Sequence, residues 1–173
     1  MDTIGCDYGM RRVAVASASQ QVAMAFTCLS LDRGKELAMI SRWYLAHAPL
    51  PGHLWIEGAI QGGNKNVQTT VKLAATQGAI MAAHVGGPVS IISVSSWKAG
   101  TCGNGNASKE YVALWLAEAY PELYLACHDD QDQIDAMCMS LYGMMRASGE
   151  IVEPPQKNKK RKKKVLADDG QAS

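Results

Sequence analysis

The chain has 173 residues, of which 47% are hydrophobic and 19% charged, and these values suit one folded domain with a sizeable core, with or without a tail. No apolar run approaches the roughly 18 residues that span a membrane, and the N-terminus lacks the pattern of a secretory signal, so we expect no membrane segment. The net charge of +1 combines two unlike parts, because the stretch from Pro154 onward holds 7 of the 17 basic residues and only 2 of the 16 acidic ones.

The first half of the chain predicts a sheet with one helix. Residues 3–7 and 11–16 are rich in Val, Ile and Ala and predict two short strands, joined by a turn after Asp7. Val22 to Leu29 predicts a third strand, which would complete an antiparallel meander. Residues 33–46 carry apolar side chains about one turn apart and predict a helix. A further strand follows in the stretch LWIEGAI, which contains Glu57.

The second half alternates strands and helices. Residues 67–84 predict a long helix, and its stripe of Ala74, Ala75, Gly78 and Ala82 would let a sheet or a second subunit approach closely. The other predicted elements are a strand Val89 to Val94, a glycine-rich loop 98–109, a helix 109–120, a short strand Leu123 to Cys127, and a last helix from Asp129 or Asp130 to Ala147. This order predicts an α/β fold, with a mixed sheet and helices on its faces.

The five cysteines stand apart from one another and form no CxxC pair. Their number is odd, and most lie in apolar segments: Cys6, Cys28, Cys102, Cys127 and Cys138. We expect reduced thiols in the core of an intracellular protein, rather than a disulfide framework or a zinc site.

Glu57 lies in the middle of an apolar strand, where a lone carboxylate is costly unless it is paired, protonated or bound to a cation. Asp7 ends the first strand, and Asp132 and Asp135 are three residues apart, on one face of the last helix. Carboxylates that converge from two strands and a helix repel one another unless cations lie between them. Such an oxygen-rich set suits Mg²⁺ or Mn²⁺, and two such ions can promote phosphodiester cleavage.

Each of these acids also has a simpler interpretation. Asp129, Asp130 and Asp132 could cap the last helix and favour its dipole, and for Asp129 and Asp130 we prefer that interpretation. Asp7 could be a turn residue, and Glu57 could pair with a buried Arg or Lys. The prediction of a metal site therefore depends on the four acids in order rather than on any single one.

Three motifs, IGCDYGMRRVAVA, LWIEGAI and DQIDAMCMSLYG, together resemble the RuvC-type Holliday junction resolvases, which belong to the RNase H-like, integrase-type nucleases. The resemblance covers nearly all of residues 2–147 and depends on the order and spacing of short motifs. It implies an RNase H-like mixed five-stranded sheet flanked by helices on both faces. It also implies Mg²⁺-dependent paired nicking of four-way DNA junctions by a homodimer, with Mn²⁺ able to substitute and with 5′-phosphate and 3′-hydroxyl ends as products.

The resemblance also assigns roles to residues. It implies that Asp7, Glu57, Asp132 and Asp135 are catalytic metal ligands, that Lys98 and Lys109 approach the DNA backbone, and that helix 67–84 forms the dimer. Four more basic residues are candidate DNA contacts because they lie near the acid motifs: Arg11, Arg12, Lys65 and Lys72. The alternative for these four is an ordinary solvated surface position.

The chain departs from the family pattern in three places. The family usually has Asp-Pro-Gly at its first motif, whereas this chain has Asp7-Tyr8-Gly9. Bacterial members often have an aromatic residue, thought to wedge into the junction, where this chain has Ile60. The lysine-rich tail is also foreign to the pattern. These departures indicate a divergent, phage-like or viral member whose substrates extend to other branched DNA.

The change in composition near residue 150 predicts a boundary between a folded domain and a C-terminal tail. We expect a nuclease domain over residues 1–150 and a basic, disordered tail over 151–173, because the tail has little apolar content. The tail would bind DNA non-specifically and with strong salt dependence, or act as a solubilising or nuclear-targeting run. We therefore expect a cytoplasmic protein, of a bacterium or of a virus-infected host cell, with a nuclear location as the alternative.

Two other functions are compatible with parts of the sequence. IGCDYG also resembles the first phosphate motif of the actin-like and sugar-kinase ATP-binding proteins, but the chain is too short for their two lobes and lacks a second such motif. A non-catalytic nucleic-acid-binding protein, with the tail as its main contact, is the other alternative.

Overall fold

Five strands form a single sheet in the order β3-β2-β1-β4-β5 in the computed structural model, which describes residues 2–30, 32–49, 51–59 and 67–151. The strands are β1 (Thr3–Tyr8), β2 (Arg12–Ser17), β3 (Val22–Thr27), β4 (His53–Glu57) and β5 (Val89–Ile92). The helices are α1 (Arg33–His47), α2 (Val67–Ala83), α3 (Val94–Cys102), α4 (Lys109–Ala119), α5 (Pro121–Ala126) and α6 (Gln131–Ser148). None of these helices is both long and apolar enough to cross a membrane.

The sheet is mixed, as predicted. β1, β2 and β3 form an antiparallel meander, whereas β4 runs parallel to β1, and β5 runs parallel to β4. The register places Cys6 opposite Ile56 in the β1–β4 pair. Because parallel strands end at the same edge of a sheet, Asp7 and Glu57 emerge side by side, one from each strand.

Alternating side chains of the strands build a core on each face of the sheet. On one face, Ile4 and Ile56 pack with Ile40 of α1 and Ile80 of α2, and all four are fully buried. On the other face, Trp55 packs with residues of α3, α4, α5 and α6. The predicted α/β fold, an RNase H-like five-stranded sheet with helices on both faces, is therefore confirmed.

Helix α6 crosses β1 at Gly5, where there is no room for a side chain. A Cβ atom on Gly5 would lie 1.7 Å from the carbonyl oxygen of Ala136. This close approach brings the N-terminal half of α6, including Asp135, over the end of β1.

Two predicted elements were wrong. Part of the predicted glycine-rich loop is helix α3, which Ser93 caps at its start and Gly103 ends in the left-handed conformation with φ of 76°. The predicted strand over residues 123–127 is instead the second half of α5 and its C-cap Cys127; this helix has Pro121 in its first turn and buries Leu123. The strand predicted to reach Val94 stops at Ile92 because the N-cap of α3 follows at once.

Three regions of interest lie outside the described residues. They are Ile60, Lys65 and residues 152–173, which make up nearly all of the predicted tail. The predicted domain boundary near residue 150 therefore stays a prediction.

Candidate active site

Three of the four predicted acids line one cavity at the carboxyl ends of β1 and β4. Asp7, Glu57 and Asp135 share this cavity of about 370 Å³ with Lys98 and Lys109. We call it the acid cavity; its other lining residues are Tyr8, Gly58, Ala59, Leu73 and Val94. Strands supply two of the acids and α6 the third, while the two lysines come from α3 and the first residue of α4.

The acids are close enough to change one another's ionisation. Burial, followed by the neighbouring charges of Asp135, Glu57 and Asp132, raises the pKa of Asp7 from 3.8 to about 8, against a smaller lowering by a backbone hydrogen bond from Tyr8. Without a cation in the cavity, Asp7 therefore holds a proton at neutral pH.

Asp135 is 9% exposed, and its surroundings act on its pKa in both directions. Burial raises its pKa, whereas a hydrogen bond from Gln131 and the charges of Lys109 and Lys98 lower it. The Nε2 of Gln131 donates to its Oδ1 at 2.8 Å. Lys98 is itself anchored, because its Nζ donates to the carbonyl oxygen of Ala107 at 2.6 Å. Two ammonium groups thus lie opposite the carboxylates of the cavity.

Asp132, the fourth predicted acid, is turned toward an arginine. The Nε of Arg12 donates to Oδ2 of Asp132 at 2.6 Å, and the same guanidinium pairs with Asp130. Asp130 is the N-cap of α6 and accepts hydrogen bonds from the backbone N–H groups of Asp132 and Gln133. Of the two residues predicted to cap the last helix, Asp130 is the N-cap. Asp129 is not, and its Oδ1 accepts a hydrogen bond from the hydroxyl of Tyr124.

The acid cavity fits a divalent cation by its chemistry. Its acidic donors are all oxygens, which suit hard ions such as Mg²⁺, and a cation would oppose the burial and the repulsion between carboxylates that raise the pKa of Asp7. Across the described ranges, however, no three His, Cys, Asp or Glu side chains are already arranged around one metal position. Since Asp132 faces Arg12 instead, the structure shows a set of potential ligands rather than a finished coordination shell.

Three of the other predicted DNA contacts lie beside the acid cavity. Arg11, Arg12 and Lys72 line a neighbouring cavity of about 540 Å³, together with Gly9, Met10, Arg33 and Glu36. Arg11 is exposed, whereas the guanidinium of Arg12 is engaged by Asp130 and Asp132. A phosphate would therefore have to compete with two carboxylates for Arg12.

Sequence reasoning missed several residues that organise this region. Arg33 donates to the carbonyl oxygen of Met10 at 2.9 Å and to Oγ1 of Thr76 at 2.7 Å, so it ties the β1–β2 turn to α2. Tyr8 was noted only as a departure from a motif, and Gln77 was not singled out, yet both donate hydrogen bonds to Glu57. No local pattern marks these three side chains, because their partners are distant in sequence.

The fold is similar to that of two solved structures of one protein. The first is the RuvC structure from Thermus thermophilus, with a TM-score of 0.67 and 19% identity over 89% of this chain and 99% of that one. The second is T. thermophilus RuvC in complex with a Holliday junction substrate, with a TM-score of 0.69 and 19% identity over 86% and 96% of the two chains. No protein-family model and no curated protein matches the sequence. At this identity the similarity establishes the fold.

Proposed function

We propose that this protein is a divergent RuvC-type endonuclease that cuts four-way and other branched DNA junctions. One observation carries the proposal. Asp7, Glu57 and Asp135 meet Lys98 and Lys109 in a single cavity, on a fold shared with a protein whose structure was solved with a Holliday junction. Carboxylates that collect a cation, next to ammonium groups that attract phosphate, are what phosphodiester hydrolysis requires.

Asp7, Glu57 and Asp135 would hold Mg²⁺, or Mn²⁺ in its place, and Asp132 would join them once it leaves Arg12. The bound ion would activate water and stabilise the leaving oxygen, giving 5′-phosphate and 3′-hydroxyl ends. Lys98 and Lys109 would hold the scissile phosphate against the carboxylates, since both ammonium groups already act on the charge of Asp135. Arg11, Lys72 and Lys65 would bind the flanking DNA backbone.

The outer face of α2 supports a homodimer. Exposed apolar or small residues recur there every three or four positions: Val67, Val71, Ala74, Gly78 and Ala82. Val67 is 76% exposed and Val71 62% exposed, and a Cβ on Gly78 would meet nothing within 4 Å. Such a stripe permits close approach of an identical helix around a two-fold axis. A dimer of this kind would present two acid cavities to the two symmetric strands of a junction.

The assignment of the acids can be tested by separating cleavage from binding. Asp7→Asn and Glu57→Gln should abolish cleavage of a labelled four-way junction and leave its binding, measured in EDTA, largely intact. Asp129→Asn is the matched control, because Asp129 is exposed and bonds Tyr124 rather than facing the acid cavity. Undiminished cleavage by either cavity variant would refute the proposed roles.

A further inference from the structure

The backbone carbonyl of Glu57 is held by two side chains from two different elements. The hydroxyl of Tyr8, at the end of β1, donates to this oxygen at 3.1 Å. The Nε2 of Gln77, in the middle of α2, donates to the same oxygen at 2.9 Å. The next backbone N–H, of Gly58, donates to the carbonyl oxygen of Ile92 at 2.9 Å. The peptide unit that follows Glu57 thus has three hydrogen bonds.

These side chains act where the regular sheet ends. Backbone pairing between β1 and β4 stops at Cys6 and Ile56, one residue before Glu57. Tyr8 and Gln77 therefore supply donors to Glu57 at the point where the β1–β4 ladder stops. Fixing the plane of this peptide restricts the backbone rotation of Glu57, and this rotation sets the direction in which its carboxylate enters the acid cavity.

Gln77 is a polar residue on the buried face of α2. It is 9% exposed, and among the buried residues of α2, Thr76, Gln77 and Ile80, only the last is apolar. A buried amide is costly unless it is hydrogen-bonded, and this amide donates to Glu57. The hydroxyl of Tyr8 has the same acceptor, since it donates to the carbonyl oxygen of Glu57 at 3.1 Å.

We infer that Tyr8 and Gln77 are positioning residues of the acid cavity. They orient the Glu57 carboxylate through their hydrogen bonds to the Glu57 carbonyl oxygen, one from β1 and one from α2. This inference rests on the proposed function for its catalytic consequence. It also gives a role to Tyr8, which stands where the RuvC-type motif usually has proline. Because Gln77 precedes Gly78 of the exposed stripe, the same helical turn of α2 faces Glu57 on one side and the proposed dimer partner on the other.

The test compares Tyr8→Phe, Gln77→Met and the double variant, each of which removes a donor and keeps the bulk of the side chain. Loss of a single hydrogen bond should lower kcat for junction cleavage about tenfold, and loss of both should lower it about a hundredfold. KM and junction binding in EDTA should stay within about twofold of wild type. The affinity for Mn²⁺, measured by calorimetry on the protein without DNA, should fall in parallel with kcat.

Two controls separate positioning from general loss of stability. Tyr44→Phe removes a buried hydroxyl that bonds His84 at 2.9 Å, away from the acid cavity, and Gln20→Met makes the same amide replacement at an exposed position. Both should keep wild-type kcat and Mn²⁺ affinity. If the wild-type protein cuts junctions and the double variant cuts them equally fast, the inference is overturned and the proposed function stands.

If the wild-type protein cuts no branched DNA, the proposed function fails, and the Mn²⁺ titration still decides the inference. Unchanged Mn²⁺ affinity in the double variant would then overturn it, whereas a selective loss relative to both controls would support it. A fall in junction binding together with kcat would show a merely structural role and would also overturn it.

Discussion

Arg12 and Asp132 form an ion pair that connects the start of β2 to the first turn of α6, with 2.6 Å between Nε and Oδ2. The pair joins two residues that were predicted to serve different partners, Arg12 a DNA phosphate and Asp132 a metal ion. The guanidinium of Arg12 lies between the carboxylates of Asp132 and Asp130. In the proposed nuclease, Asp132 would join the other metal ligands only when this pair opens.

Removing Arg12 should make Asp132 easier to recruit. We expect Arg12→Gln to lower the Mg²⁺ concentration needed for half-maximal cleavage, because the carboxylate no longer has to leave an arginine. Since the pair is partly exposed, its loss should cost only about 0–1 kcal/mol of unfolding free energy. The measurement is a Mg²⁺ titration of cleavage beside Arg42→Gln, an exposed control on α1. A higher Mg²⁺ requirement in Arg12→Gln would contradict this account.

Asp7 should make the metal-free protein less stable as pH rises. Its pKa is about 8 in the fold and near 3.8 when unfolded, so the folded state keeps a proton that the unfolded chain releases. The resulting stability is complete below about pH 4 and is lost progressively up to about pH 8.

We expect Asp7→Asn to escape this loss. In EDTA at pH 8.5 its Tm should exceed that of wild type by roughly 10–20 °C, because a pKa raised from 3.8 to about 8 corresponds to about 5–6 kcal/mol of lost stability at that pH. At pH 4 the two Tm values should nearly agree, and Asp129→Asn should follow wild type at both pH values. A difference that is constant with pH would show that the charge of Asp7 is not responsible.

Much of this fold and site follows from short-range patterns in the sequence. The Val-, Ile- and Ala-rich residues around Asp7 and the apolar run around Glu57 predict strands, and the helical spacing of Asp132 and Asp135 places both on one face of the last helix. The structure brings Asp7, Glu57 and Asp135 into one cavity, which the order of motifs had indicated. The strands and the helix can be predicted because each depends on a local pattern, whereas the expectation that the acids meet depended on the order of the motifs and on the family resemblance.

The missed features are of two kinds: segments whose local pattern suits more than one type of secondary structure, and contacts between residues that are far apart in the sequence. The apolar stretch Leu123 to Cys127 is short enough to suit a strand or a buried helix. It follows Pro121, which lies in the first turn of α5, where proline is favoured. The glycines of residues 98–109 favoured the prediction of a loop, although Ser93 is a residue type that often caps the start of a helix and does so for α3. The Arg12–Asp132 pair spans 120 residues, and no local pattern reveals such a contact.

Lys109 should affect both the rate and the pH dependence of cleavage. Its charge lowers the pKa of Asp135, so Lys109→Gln should raise that pKa and shift the acidic limb of the pH–rate profile to higher pH. The rate at neutral pH should fall about 100- to 1,000-fold, as when one preorganised group that stabilises a developing negative charge is removed. Lys35→Gln, an exposed change on α1, is the control. A lower rate without any shift of the profile would restrict Lys109 to phosphate binding.

Gly78 allows the proposed dimer to be tested without harm to the monomer. A side chain at this position points into open space, so Gly78→Arg should fold normally but block the close approach of a second α2. We expect a monomer by sedimentation velocity. Gly78→Ala is the matched control and should stay dimeric with a slightly higher stability, since alanine in a helix is favoured over glycine by about 0.5–1 kcal/mol. A dimeric Gly78→Arg protein would place the interface elsewhere.

The most direct test of the central claim is cleavage of a labelled immobile four-way junction by the full chain, beside a matched linear duplex and a branched flap, with Mg²⁺ and with EDTA. The account predicts paired, Mg²⁺-dependent nicks near the crossover of the junction, no cutting of the linear duplex, and loss of all cutting in EDTA. Binding of the junction without any cutting in Mg²⁺ would contradict it.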